Sequence, residues 1–564
     1  MFLPSTSAEL RRLDWKQLDI ILVTGDSYID SPYVGIAVIG KVLLDAGFKV
    51  GVIGQPNIST DRDITRLGKP RLFWGVSGGC IDSMVANYTA LKKKRRTDDF
   101  TAGGQNIHRP DRAAIVYSNL IRRHFKNSPP IVLGGIEASL RRVSHYDYWS
   151  DRVRRSILFD AKADYLLYGM AERSIVELAT SLRDNSDVSG IPGLCRIASA
   201  PVPDYVVLPS HEETARDNQV ITEMFHTFYR NNDPVTARGL CQQQDTRYLI
   251  QNPPGSYLNE QELDHVYGLD FERDLHPIHR PDGKVKALET IRFAINTHRG
   301  CYGECNFCAI GIHQGRTVRW RSEESILNEA RLLTRHPEFK GNILDVGGPT
   351  ANMYGFECPR KETKGNCNDK RCVFPKVCRT LRPDHSRQTA LLKKIRKIPG
   401  IKRVFVASGL RHDMVLADKK HGPAYLDQLV RHHVSGQLKL APEHSEEAVL
   451  EMMGKPGRKD LLDFREAFFR STKQANKKQF LTYYIIAAHP GCTEEQMQKL
   501  KKFTSQKLKI NPRQVQVFTP LPSTYSALMY HTETNPFTGK RVFVEKGLAG
   551  KQRQKRIIVD TKRR

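Results

Sequence analysis

Long apolar runs are missing from this 564-residue chain. No uninterrupted stretch approaches the roughly 18 residues that a membrane-spanning helix needs, which excludes a helical membrane protein. Acidic side chains are outnumbered, 61 against 88 lysines and arginines, for a formal net charge of +27. Such a balance sets up a positive field that draws RNA, DNA or acidic proteins in a salt-dependent way. Cysteine is thin outside one region, since seven of the 11 fall between Cys301 and Cys378. That distribution excludes a disulfide framework spread along the chain and suits metal binding in a reducing compartment. Cys80, Cys195, Cys241 and Cys492 are expected to be ordinary buried thiols. The opening residues lack the basic start, apolar stretch and small-residue cleavage site of a secretory leader, so the cytoplasm is the expected location.

What is present is a multidomain α/β pattern, the length suiting two to four domains at roughly 150 residues each. Over residues 1–190, apolar runs at Asp19 to Thr24, Phe48 to Ile53, Leu72 to Val76, Pro130 to Leu133 and Ala163 to Tyr168 alternate with helix-compatible stretches. Several end in glycine or an acid, as a doubly wound, Rossmann-like sheet does at its carboxyl edge. Between 191 and 286 the rhythm weakens, and a helical connector or subdomain is expected, with helices near Thr222 to Tyr229 and over 260–265. From 287 to 535 six strand candidates follow: Ile291 to Ile295, Ile343 to Val346, Arg403 to Ala407, Gln437 to Leu440, Phe480 to Ala487 and Gln514 to Phe518. Helix-compatible segments separate them, the first capped by Ser322 with acids in its first turn. Six such repeats make a partial (β/α)6 barrel of the TIM type, whose chemistry sits where the strands end. A basic tail is expected over 536–564, with ten lysines and arginines against two acids from Lys540 onward. Lys92-Lys93-Lys94-Arg95-Arg96 is a second basic block.

The chemistry concentrates in Arg299-Gly300-Cys301-Tyr302-Gly303-Glu304-Cys305-Asn306-Phe307-Cys308. Three thiolates at this spacing suit a [4Fe-4S] cluster with one iron lacking a protein ligand, where a chelating substrate can receive an electron; a fourth would close the cluster into an electron carrier. CxxxCxxC with an aromatic before the last cysteine is the pattern of radical S-adenosylmethionine (SAM) enzymes, whereas zinc knuckles more often pair CxxC units. A second set, Cys358, Cys367, Cys372 and Cys378, lies in the loop after the second barrel strand. Such a loop buries little apolar surface, and a four-thiolate site, either an auxiliary iron-sulfur cluster or structural zinc, would supply its folding free energy. The run from Arg141 to Arg155 mixes guanidinium groups with aromatics, a mixture that either stacks on bases or packs into a knot of ion pairs. His145, His444 and His489 are proton-relay candidates, with a structural role the alternative.

From end to end the chain resembles the YgiQ-like family of radical SAM proteins, which has an N-terminal cobalamin-binding-like domain. The resemblance is carried by Leu22 to Pro32 (LVTGDSYIDSP), Leu133 to Arg142 (LGGIEASLRR), Arg299 to Cys308, Val346 to Tyr354 (VGGPTANMY), Leu440 to His444 (LAPEH), Ala488 to Cys492 (AHPGC) and Val515 to Pro522 (VQVFTPLP). It implies that Cys301, Cys305 and Cys308 hold the cluster, that SAM is cleaved to methionine and a 5′-deoxyadenosyl radical, and that no side-chain acid or base is required. It places Phe307 beside the adenine, Gly347 and Gly348 at the SAM amino group, and Ser408, Arg411 and Glu443 near the ribose and carboxylate. Pro349 stands where the usual Gly-Gly-Glu pattern has its acid. The Asp-x-His-x-x-Gly pattern of a lower axial cobalamin ligand is absent, Tyr28 standing where the histidine would fall. The expected activity is a radical SAM enzyme supplied by an electron donor such as flavodoxin or ferredoxin, acting on RNA; the alternatives are a small-molecule substrate or a non-catalytic iron-sulfur protein that senses redox state or binds nucleic acid.

Overall fold

The computed structural model describes residues 1–368 and 370–559. They form two compact units: Met1–Tyr257 with His265–Arg292, and Leu258–Asp264 with Phe293–Arg564.

The first unit is built on nine strands: β1 (Ile20–Thr24), β2 (Val50–Gly54), β3 (Phe73–Ser77), β4 (Ile131–Gly134), β5 (Tyr165–Leu167), β6 (Leu194–Ala198), β7 (Val206–Leu208), β8 (Leu240–Gln244) and β9 (Arg247–Gln251). The first three are buried along their whole length, as near-continuous apolar strands covered on both faces must be. The spatial order is β7-β8-β9-β6-β5-β4-β3-β1-β2. Strands β1 to β5 are mutually parallel, and their order 2-1-3-4-5 is a doubly wound one that reverses between β1 and β3. Each of these five lies within two residues of its expected position.

The helical connector expected over 191–286 is corrected by the structure. Thr222 to Tyr229 and 260–265 do lie in helices, Asn218–Arg230 and Glu260–Gly268, but the segment also supplies β6 to β9, which extend the sheet by antiparallel pairing of β5 with β6, β6 with β9 and β9 with β8, and by parallel pairing of β8 with β7. β8 and β9 escaped notice because buried glutamines interrupt their apolar residues. Gln242 accepts from the Ser144 N–H at 3.0 Å and Gln244 from the Ser156 N–H at 2.9 Å, so buried amides replace the apolar alternation a strand ordinarily displays.

In the second unit, six parallel strands follow one another: β10 (Ala294–Asn296), β11 (Asp345–Gly347, preceded by Asn342–Ile343), β12 (Arg403–Val404), β13 (Gln437–Glu443), β14 (Phe480–Ala487) and β15 (Gln516–Val517). Ladders join β10 to β11, Asn342–Ile343 to β12, and β14 to both β13 and β15. The Leu410 N–H donates to the Lys439 carbonyl at 3.1 Å, tying the segment after β12 to β13. This is the partial barrel, its core filled by residues such as Ile295, Val346, Val404, Leu438 and Leu481 with Phe464 and Phe468 from the helix Arg458–Gln474. Ser322 caps the helix Glu323–Leu333 as expected, accepting from the Ser325 N–H at 3.1 Å. No described helix is long and apolar enough to cross a membrane.

The basic tail is also corrected. Leu548–Ile558 is a helix with Lys551 and Gln554 fully buried. Lys551 donates to the Tyr530 hydroxyl at 2.8 Å, and Gln554 donates to the Cys492 carbonyl at 2.9 Å. Residues 560–564 of the expected tail lie outside the described residues.

Buried histidines make this unit sensitive to acid. Burial lowers His412 and His433 to about 4 and His444 and His489 to about 3, against roughly 6.5 in an unfolded chain. The unfolded state therefore binds more protons, so the stabilisation is complete above pH 6.5 and is lost as pH falls towards 4. Between pH 7 and pH 5 each histidine is expected to remove about 1–2 kcal/mol, read as a falling denaturation midpoint; a midpoint independent of pH over that range would contradict it.

Candidate active site

The loop after β10 turns at Gly300, whose φ is +76°. A Cβ there would lie 2.2 Å from the Thr317 carbonyl oxygen, so the turn is open only to glycine. At Gly303 a Cβ would lie 3.1 Å from Cys301 Sγ, 3.7 Å from Cys305 Sγ and 3.4 Å from Arg411 Nη1. Two thiols and a guanidinium thus converge on one spot where the chain has no side chain. Cys308 joins them through its N–H, which donates to the Cys305 carbonyl at 3.0 Å. Burial pushes the Cys301 thiol up and the Cys308 thiol up to about 12, with Cys305 adding to both. Thiols so placed stay protonated until a metal takes the proton's position, and this donor set fits a cluster held by three cysteines.

Arg411 supplies the compensating charge. Burial disfavours its cation, but Asp413 accepts from Nε at 2.8 Å and Nη2 at 2.5 Å and holds the group above its ordinary range. Nη1 points at Cys305 Sγ, 3.7 Å away. Asn352 clamps the Arg411 backbone, accepting from its N–H at 2.8 Å and donating to its carbonyl at 3.0 Å. Glu443 ends β13 in a left-handed conformation, φ +68°, and is buried with Lys455 at 3.9 Å. Burial raises its carboxyl, while Lys455 and Arg411 pull it back.

The cysteine loop is pinned from several sides. Asn306 donates from Nδ2 to the Met452 carbonyl at 2.8 Å, and its own carbonyl accepts from the Ser526 N–H at 2.9 Å. Glu304, buried between Cys301 and Cys305, accepts from Lys361 Nζ at 3.2 Å. Phe307 meets the ring of His489 edge-on at 6.2 Å. His489 bonds to Ser526 at 2.7 Å and His444 touches Cys492 Sγ at 3.5 Å.

Of the remaining expected SAM contacts, Gly347 and Gly348 have structural work. The Gly347 carbonyl accepts from the Thr297 N–H at 2.7 Å and its hydroxyl at 3.1 Å, which occupies both lone pairs. A Cβ on Gly348 would lie 2.6 Å from the His298 ring. Gly348→Ala is therefore expected to cost about 1–3 kcal/mol through overpacking, measured by chemical denaturation; an unchanged midpoint would contradict this placement. Ser408 hydrogen-bonds to Asp345, which also accepts from the Ala407 N–H at 2.7 Å. Sequence reasoning missed Asp413, Asn352, His298, Glu304 and Lys455. Asn352, Glu304 and His298 stand within or beside quoted motifs, Asp413 lies two residues after Arg411, and Gly454-Lys455-Pro456-Gly457 signals a turn at the fifth.

In the first unit the Arg141 to Arg155 run is a packed network. Arg141 pairs with Asp82. Arg142 is fully buried, donating to Gln251 at 3.0 Å and Asn232 at 2.7 Å and stacking over Tyr168 and Phe228. Arg154 and Arg155 share Asp160, and His145 is buried with its Nδ1 at the Val143 carbonyl. These guanidinium groups are committed to the fold.

The crevice at the β1–β3 reversal, where a doubly wound sheet binds its ligand, is occupied by protein. Arg109, with a fully buried side chain, pairs with Asp26 at 2.8 Å and Asp98 at 2.7 Å and donates to the Gly78 carbonyl at 2.9 Å. Tyr28 is buried too, stacked on His276 with its hydroxyl accepting from the Leu3 N–H at 3.2 Å. These residues do not fit cobalamin.

Comparison with known proteins agrees with the two-unit division. Residues 2–294 match the radical SAM N-terminal family and residues 295–504 the radical SAM superfamily. A UPF0313 protein of Fusobacterium nucleatum subsp. nucleatum is 54% identical over 563 residues, 100% of this chain and 99% of that one. A UPF0313 protein of Thermotoga maritima is 48% identical over 566 residues, again 100% and 99%. Among solved structures, the radical SAM methyltransferase TsrM from Kitasatospora setae, with cobalamin and a [4Fe-4S] cluster bound, has a TM-score of 0.50 at 16% identity, covering 89% of this chain and 76% of that one. The cobalamin-dependent radical SAM enzyme OxsB has a TM-score of 0.50 at 11% identity, covering 95% and 59%. The likeness to both is one of fold. The chain belongs to the UPF0313 family and is a radical SAM enzyme, working with a [4Fe-4S] cluster and S-adenosylmethionine.

Proposed function

We propose that Cys301, Cys305 and Cys308 ligate the [4Fe-4S] cluster and that the enzyme modifies RNA. The observation that carries the first part is the convergence of thiols and Arg411 on the open spot at Gly303. When bound, the cluster would supply the one electron that cleaves the SAM sulfonium to methionine and a 5′-deoxyadenosyl radical, which would abstract hydrogen from substrate carbon. The protein's own residues bind and orient. Arg411, fixed by Asp413 and Asn352, balances the negative charge of the thiolates. Lys455, buried beside Glu443, adds a second cation. Phe307 offers a face to the adenine, Glu443 and Arg411 address the ribose and carboxylate with Ser408 beside them, and the amino-group contact falls to Gly348 because the Gly347 carbonyl is saturated. A small reduced protein, flavodoxin or ferredoxin, supplies the electron, and the cytoplasm suits a chain whose eleven cysteines are all free thiols.

The RNA reading is supported by the net charge of +27 and by the exposed block Lys92 to Arg96. Lys92 lies over the Tyr148 ring at 4.9 Å, and Tyr88 and Trp149 pair at 5.6 Å close by. Tyr148 is buried, while Tyr88 and Trp149 are partly exposed, and cations beside partly exposed aromatics recognise single-stranded nucleic acid by phosphate pairing and base stacking. Ultraviolet crosslinking in cells followed by sequencing is expected to enrich discrete RNAs, with Lys93→Glu/Lys94→Glu reducing the yield. No enriched RNA would overturn the RNA reading in favour of a small-molecule substrate.

A further inference from the structure

The insertion between β11 and the helix Ser386–Ile395 carries the other four clustered cysteines. Cys358 and Cys372 are 4% and 6% exposed and share one apolar cluster with Tyr302, Phe356, Val373 and Leu381, against which Cys378 packs. The Cys378 N–H donates to the Cys372 carbonyl at 2.7 Å. Three of the four thiols thus share one apolar surround, and Cys367 lies on the same insertion.

One further observation points to a metal. Next to Cys367, the Asn366 side chain buries both Nδ2 and Oδ1 without a hydrogen-bond partner. Each such atom costs about 1–3 kcal/mol, and a metal-bound thiolate accepting from Nδ2 would offset part of it.

We propose that Cys358, Cys367, Cys372 and Cys378 are the four ligands of a second metal centre, closed by thiolates and separate from the Cys301, Cys305 and Cys308 site. Its metal is thiophilic, a single zinc ion or an iron-sulfur cluster, and its binding free energy adds to what the apolar cluster gives the insertion. It is joined to the first site through protein: Tyr302 lies in the same apolar cluster, Lys361 holds the Glu304 carboxylate, and Arg371 donates to the Glu304 carbonyl at 3.0 Å.

The test uses the full chain with Cys301, Cys305 and Cys308 all replaced by alanine, which removes the first site and makes the result independent of it. Purified without oxygen, this variant is expected to retain stoichiometric metal, and adding Cys367→Ala and Cys378→Ala is expected to remove it. Iron with equal sulfide identifies a cluster and zinc a mononuclear centre; either supports the proposal. X-ray absorption at the metal edge of the triple variant should show an all-sulfur first shell. A triple variant that is metal-free yet keeps the wild-type circular dichroism spectrum overturns the proposal, as does a first shell of nitrogen or oxygen.

Discussion

Replacing Cys305 with alanine is expected to bring 5′-deoxyadenosine formation down to assay background and to remove the iron of the first site, while the fold survives. Cys305 is central to the arrangement: its thiol faces Arg411 Nη1 at 3.7 Å, and its carbonyl accepts the Cys308 N–H at 3.0 Å. Two thiolates leave two irons of a cubane open, and such a cluster is lost to solvent. The backbone bonds of the loop do not involve the Cys305 side chain, and Asn306 stays anchored to Met452 and Ser526. Methionine and 5′-deoxyadenosine are read by chromatography after anaerobic reconstitution with dithionite. Near-wild-type product from the variant would show that the cluster is held elsewhere.

Arg109→Met is expected to destabilise the first unit by about 3–5 kcal/mol, because it leaves Asp26 and Asp98 buried without their shared cation. Whole domains are stable by only about 5–15 kcal/mol, so the variant should be largely unfolded well below the wild-type midpoint. Burial already pushes the Asp26 carboxyl up, and Arg109 is what opposes that shift. Adding Asp26→Asn and Asp98→Asn should recover much of the loss, since removing a whole buried ion network costs far less than breaking it. Denaturation of the two variants side by side checks both statements; a single variant as stable as wild type would contradict them. Asp26 stands in the LVTGDSYIDSP segment at the place of a ligand crevice, and its charge there pairs with Arg109 and serves the fold.

Much of this was legible in the amino-acid order, for identifiable reasons. The parallel strands announce themselves because Ile20 to Thr24 and its counterparts are buried on both faces and stop at glycines or acids. The hairpin of β8 and β9 does not, because Gln242, Gln244 and Gln251 point inward and its turn is made by Asp245 at φ +55° without a glycine. In the site, thiol spacing is a one-dimensional signal and Cys301, Cys305 and Cys308 could be found by it. Arg411 could be singled out by its place after a strand, but not its anchoring, since Asn352 reaches it across 59 residues. The packing of Gly348 was not legible for a similar reason: the ring that needs its space, His298, lies on a different strand end.

The central claim is that one iron of the Cys301, Cys305 and Cys308 cluster lacks a protein ligand and binds SAM. Low-temperature electron paramagnetic resonance of the dithionite-reduced holoprotein, recorded with and without SAM isotopically labelled at its amino nitrogen, tests it most directly. The expected result is a shifted signal carrying hyperfine coupling to the labelled nitrogen. A spectrum unchanged by saturating SAM would contradict the account.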